Sequence, residues 1–325
     1  MIRYIFRRIL LMIPVLIGVT LLIFMLQAIT PGDPADLILG NDATPQDRYD
    51  WRDKYDLNDP LLVQYGKYLY KVVQGDFGVS YRTGNTITST ILSRWPTTFL
   101  LASLSLFVSV VLGLAIGIIA AMNRNTWLDS MARFLGMLGT SMPSFWFALL
   151  LIMGFALKLK WFPVSGFYGP QYWVLPSMTL GILGSASILR ITRSAMLDNM
   201  YSDFVRTARS KGQSEIKIIM NHILPNAMIP ITTNIAGLFA TSLGGTIILE
   251  QIFAIAGLGK LMVDAINQRD YPLLRGSVLL VAVSTSVINL LIDIIYAVID
   301  PRVKAAFKNS IKPIKLFKNL RKEEG

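Results

Sequence analysis

The sequence predicts an all-α integral membrane protein of about six transmembrane helices, and three observations lead there. Of 325 residues, 53% are hydrophobic and only 16% charged, with a mean hydropathy of +0.51. Apolar runs of about twenty residues recur along the chain, each long enough to cross about 30 Å of hydrocarbon. The net charge of +11 is gathered in the stretches between and beyond these runs. That distribution speaks of membrane topology, not of nucleic acid. With no cysteine, disulfide and thiolate chemistry are excluded, and the compartment is left open.

The expected spans lie near residues 9–29, 97–122, 131–157, 173–191, 228–249 and 276–298. The first follows Arg3, Arg7 and Arg8 as a signal peptide would. Its length and the lack of a small-residue cleavage pattern before Thr30 make it a retained anchor. Lys and Arg concentrate at the N-terminus, around Arg124 and Arg133, after span four from Arg190 onward, and in the tail. The short loops on the other side hold few, so both termini are expected in the cytoplasm. Four regions follow: the N-terminus and first helix (1–29), an extracytoplasmic loop domain (30–96), the transmembrane body (97–301) and a basic cytoplasmic tail (302–325).

The loop domain is dense in Asp, Tyr, Gly and Pro, and a loop of that length is usually functional. Within it Leu61, Leu62, Tyr65, Tyr68, Leu69, Val72 and Val73 recur at helical spacing, which predicts a small helical cap. In the tail, Ile314, Phe317 and Leu320 alternate with Lys312, Lys315, Lys318 and Arg321. Either a short helix on anionic headgroups or a disordered segment fits that pattern.

The stretch FVRTARSKGQSEIKIIMNHILPN (204–226), on the cytoplasmic side, is more patterned than a connector requires. Residues 204–211 read as a short helix stopped by Gly212, with Arg209 and Lys211 in its last turn, where cations are favourable. Ser214 is placed to cap a second helix and Glu215 suits its first turn. Ile216, Ile219, Met220, Ile223 and Leu224 fall at i, i+3, i+4, i+7 and i+8, one apolar stripe. Pro225 is expected to end that helix and admit the next span.

This segment resembles the EAA loop of membrane subunits of binding-protein-dependent ABC importers, in which E-A-A, a glycine and I-x-L-P stand at fixed spacing. Here the register gives Arg206, Thr207, Ala208, Gly212, His222, Leu224 and Pro225. The departures at Arg206 and Thr207 are similar to the R-T-A-R-x-K-G of the oligopeptide/dipeptide/nickel permease branch. His222 stands in the isoleucine slot with no explanation from the pattern. "PGDPAD" (31–36), "GDFGVSYRTG" (75–84), "PSFWFALLL" (143–151), "FPVSG" (162–166), "RDYPLLRG" (269–276) and "DPRV" (300–303) resemble the same branch. The large loop after span one resembles that of its B-type membrane subunit.

The resemblance implies a bacterial or archaeal plasma-membrane permease that forms half of a pathway for di- or oligopeptides. Nickel chelates, metallophore or opine complexes and glutathione are alternatives within the family. The implied partners are a second, homologous permease, two ATPase subunits beneath, an extracytoplasmic solute-binding protein and membrane lipid. ATP and Mg would be held by the ATPase subunits; this chain is expected to carry no cofactor and no catalytic or metal site. Arg206, Thr207, Ala208, Arg209, Lys211, Gly212, Leu224 and Pro225 would then couple the ATPase to the pathway. Pro143, Ser144, Phe145, Glu250, Phe253 and Asn289 are the expected lining of the path or its outer gate.

"AIAGLGKL" (254–261) approaches a phosphate-binding loop, but it lacks the leading Gly and ends in Leu instead of Ser or Thr. After Glu250 it reads better as a re-entrant outer loop, too apolar for water and too short to span. Asp293 needs a partner at membrane depth, and Arg190 or Arg193 is expected to supply it. Asn234 and Thr241 either line the path or bond helix to helix, and Gly113 with Gly117 permits close packing. A lone His222 gives no material for a histidine metal cluster or a Ser/His triad. A secondary transporter would show midplane charges and inverted repeats, and a membrane enzyme a reactive cluster at one depth; neither pattern stands out.

Overall fold

The structure, a computed structural model, describes residues 2–40 and 42–299. It is helical throughout: α1 Ile2–Ile29, α2 Pro34–Leu39, α3 Pro45–Lys54, α4 Leu61–Val73, α5 Ile87–Met122, α6 Trp127–Ser141 and α7 Ser144–Leu151 come first. Then follow α8 Pro170–Met200, α9 Asp203–Ser210, α10 Glu215–Ile218, α11 Leu224–Ile252, α12 Leu258–Asn267 and α13 Tyr271–Ile299. Two wide π-helical turns, Ile152–Lys158 and Ile219–Ile223, extend α7 and join α10 to α11. Among the described residues, an isolated bridge between Val79 and Thr86 stands in for any strand. Five helices are long and apolar enough to span a membrane, and six if the bent α6–α7 pair makes one span.

That bent pair corrects the continuous third span expected over 131–157. α6 and α7 meet at 107°. The cause is local: Met142 precedes Pro143 and is driven out of the helical region to φ −83°, ψ 124°. Pro143 then starts α7 without needing an amide partner. The second span also begins earlier than expected, at Ile87, and runs through Pro96 without ending. Pro225 likewise fails to end a helix, because α10, the π turn and α11 form one rod over Glu215–Ile252. A π turn widens the helix just where the proline ring would otherwise crowd the preceding turn.

The densest packing joins α5 to α8. A Cβ on Gly113 would stand 2.6 Å from the Ile188 Cβ, and one on Gly117 2.7 Å from that of Thr192. Ser109 Oγ donates to the Gly181 carbonyl across the same seam (2.9 Å). The two helices therefore touch nearly backbone to backbone, as small residues at four-residue spacing allow. Asn234 of α11 donates to Ser187 of α8 (3.1 Å), which makes it a helix-to-helix bond. Thr241 instead bonds carbonyls of its own helix.

Asp129 and Arg193 form a buried pair that the sequence reading missed. The Asp129 side chain is wholly buried, and Arg193 approaches it through Nε (2.5 Å) and Nη2 (2.9 Å). The Asn125 amide donates a further bond (3.1 Å), so the carboxylate is satisfied on several sides. Arg193, expected beside Asp293, is thus engaged by α6. Asp293 belongs to α13, but its side chain lies outside what is described, as does the tail beyond residue 299.

Candidate functional site

The 204–226 segment folds into two short helices around a tight turn, and its own sequence explains how. α9 stops where Gly212 turns to φ +72°, its amide bonding the Arg209 carbonyl (2.9 Å). Only glycine takes this conformation without strain. Ser214 occupies the cap position of α10 with extended backbone, though its hydroxyl makes no capping bond. Two side-chain clamps close the turn. Arg209 meets Glu215 in a fork (2.8 and 3.1 Å), and His222 Nε2 bonds Gln213 Oε1 (3.0 Å). The Glu215 carboxylate thereby raises the pKa of the Arg209 guanidinium. The histidine in the isoleucine slot is therefore a brace, fastening the turn to the rod.

Burial decides which face of this device is free. Val205 and Ala208 sink into a core with Ala121, Ala195, Met196, Ile218, Ile219 and Ile223, and Leu224 packs against it. Ala208 and Leu224, both among the expected coupling residues, lie on the inward side of the device. Arg206, Thr207, Arg209, Lys211, Gly212 and Pro225 are exposed. The expected apolar stripe is also displaced: Ile218, Ile219 and Ile223 are buried, whereas Ile216 and Met220 are 72% and 54% exposed. The π turn adds a residue to one helical turn, so the inward face passes from Ile218 to Ile223 at a spacing of five.

At the far end of the rod, Glu250 is fully buried and ties three helices together. Thr98 Oγ1 of α5 donates to Glu250 Oε1 (2.7 Å) and accepts the Leu258 amide (2.8 Å). The Lys260 amide donates to Glu250 Oε2 (2.9 Å), so the carboxylate caps the first turn of α12. A Cβ on Gly257 would lie 2.5 Å from that carboxylate. Gly166 donates to the Phe253 carbonyl (2.7 Å), bringing in the stretch before α8. Phe253 itself is buried among Leu101, Ala148, Ile152, Leu175 and Leu249. Glu250 and Phe253, expected at the path or its outer gate, thus build a buried elbow. Pro143 and Phe145 do border an open cleft of about 440 Å³ at the α6–α7 bend, with Leu138, Ser141, Met142 and Trp146. Ser144 is half-buried beside it, and Asn289 is exposed on α13, far along the sequence from either group.

A chain with a braced basic turn on a long rod, an apolar bundle and a clasped elbow can be compared with known proteins. Residues 113–305 match the family model described as binding-protein-dependent transport system inner membrane component, and residues 1–102 match the N-terminal model of the same membrane components. The chain belongs to this family. It is therefore a membrane permease of an ABC importer. The oligopeptide transport system permease protein AppB of Bacillus subtilis (strain 168) is 38% identical, over 94% of this chain and all of AppB. The glutathione transport system permease protein GsiC of Escherichia coli (strain K12) is 39% identical, over 94% of this chain and 99% of GsiC. Among solved structures, a chain of the inward-facing MetNI methionine ABC transporter matches with TM-score 0.56 at 17% identity, covering 65% of this permease and 96% of that chain. That last likeness speaks for the fold alone.

Proposed function

We propose that this permease forms half of a path for di- or oligopeptides, and that the exposed face of α9 with the Gly212 turn receives a separate ATPase. The observation that carries the reading is the braced turn: anchored inward by Val205 and Ala208, exposed outward through Arg206, Thr207 and Lys211, and continuous with a rod that ends at the Glu250 elbow. A push on such a turn is delivered along about 57 Å of helix, at about 1.5 Å for each residue of Glu215–Ile252. Among the described residues, the nearest approach to a nucleotide loop lies against the Glu250 clasp, where the Lys260 amide is taken up by the carboxylate and Gly259 sits beside it. The energy then comes from another polypeptide, solute from an extracytoplasmic binding protein, and the other half of the path from a second permease.

Uptake by proteoliposomes tests this reading. Transport is expected only when the second permease, the ATPase and the binding protein are present together, and vanadate should stop it. Ion-driven uptake by this chain alone would overturn it. Glutathione is the second reading, favoured by the near-equal likeness to GsiC. Mass spectrometry of what the cognate binding protein captures from medium separates a mixed peptide population from glutathione.

A further inference from the structure

We propose that α4 is an interfacial helix whose outward apolar face, Leu62, Tyr70 and Val73, beds into the lipid leaflet beside the C-terminal end of α1. Three observations carry this assignment, whichever side of the membrane that end faces. The first is depth. Tyr65 of α4 bonds the Thr20 hydroxyl (3.0 Å) and the Ile17 carbonyl (3.2 Å), and its ring packs on Phe24 at 5.4 Å. Thr20 lies about 13 Å along the helix from Ile29, at about 1.5 Å per residue. The apolar span is Ile5–Ile29, and hydrocarbon needs about 20 of its residues. Tyr65 therefore reaches down a helix that is already within the bilayer, and α4 cannot stand clear of it in water.

The second observation is the composition around α4. One face, through Tyr65, Tyr68 and Val72, packs toward α1 and α13, with Arg275 stacked 5.0 Å from the Tyr68 ring. Beside it, Leu62 and Val73 are 83% and 86% exposed and Tyr70 is 69% exposed. At steps of eight and eleven residues these three share one stripe. The polar stripe is narrow: Lys67 bonds Asp56 and Asp59 (2.6 Å each) and Lys71 reaches Asp56 (3.5 Å). A helix that is greasy on two sides and charged on one is the pattern of an interfacial helix, and an exposed apolar strip of this kind marks a surface that is covered.

The third observation identifies the cover. Leu21, Leu22 and Met25 of the neighbouring α1 are exposed within its apolar span, so α4 adjoins an apolar surface at membrane depth. The bare stripe of α4 continues that surface, and its tyrosine suits the headgroup level.

The chain has no cysteine, so single nitroxide labels can be placed without a background to remove. Full-length protein in nanodiscs of phosphatidylethanolamine and phosphatidylglycerol would carry the label at Leu62→Cys or Val73→Cys. Leu22→Cys serves as the lipid control and Asp50→Cys, on exposed α3, as the water control. At positions 62 and 73 we expect collision with oxygen to match position 22 and collision with a water-soluble nickel chelate to fall well below position 50. Nickel accessibility equal to that at position 50 would overturn the proposal. Shielding from both reagents would overturn it as well, by showing that another polypeptide covers the stripe.

Discussion

At Gly212 the backbone stands at φ +72°, and a Cβ added there would meet nothing within 4 Å. Space is free but conformation is not, so substitutions separate by their tolerance of left-handed backbone and not by size. Gly212→Asn should keep ATPase co-purification near the parent level. Gly212→Val should lose most of it, since a β-branched residue there costs roughly 1–2 kcal/mol or more. Pull-down of the ATPase with each variant measures the difference, and equal retention by both would remove the turn from the coupling role. The Arg209–Glu215 fork is about half exposed, so Glu215→Gln should lower thermal stability by about 1 kcal/mol or less. The buried pair behaves otherwise. Asp129→Ala strands the partly exposed Arg193 and should cost about 1–3 kcal/mol, read as a fall in the unfolding temperature in detergent. From the sequence, Gly212 and its basic neighbours were legible because a glycine at fixed spacing is a local signal. Asp129 was not, because its partner lies 64 residues away and only the tertiary fold brings them together.

Among the elements, the spans of α1, α8, α11 and α13 follow the hydropathy of the sequence, which senses length and greasiness directly. Hydropathy is blind to direction, and so the 107° bend between α6 and α7 escaped it. The two sides of Met142–Pro143 together are apolar enough to read as one span; the break is a matter of one dihedral. Pro143→Ala removes the clash that holds Met142 extended. Spin labels at Leu135→Cys and Leu150→Cys should then move apart as the pair straightens, and an unchanged distance would place the cause of the bend in packing. The π turns were illegible for a related reason. They alter the register without changing composition, and so of the stripe read at Ile216, Ile219, Met220, Ile223 and Leu224, Ile216 and Met220 turn outward while Ile218 joins Ile219 and Ile223 inside. For α4, the Lys67 ammonium holds the Asp56 carboxyl below its ordinary range. Stability from that pair is present above the ordinary carboxylate pKa and is lost as pH falls through the lowered value.

For the molecule as a whole, the rod from Glu215 to Ile252 joins the proposed coupling turn to the Glu250 elbow, and its two ends are expected to be separable by mutation. Thr98→Val removes a donor to Glu250 and the acceptor for the Leu258 amide, leaving buried groups unmatched at about 1–3 kcal/mol each. Such a chain should still co-purify with the ATPase, because the turn is untouched, while solute uptake falls as the elbow loosens. A loss of ATPase binding from this substitution would show that the two ends do not act separately.

The seam between α5 and α8 bears on how anything in this bundle can move. Two helices in contact through glycines and serines have no layer of bulky side chains in which to slide or roll, as Gly113 and Gly117 against Ile188 and Thr192 make plain. They behave as a single plank. A tilt imposed near Thr192, at the Arg193 end, is therefore expected to carry both helices together, so the motion this seam permits is a swing of the pair against the rest of the bundle.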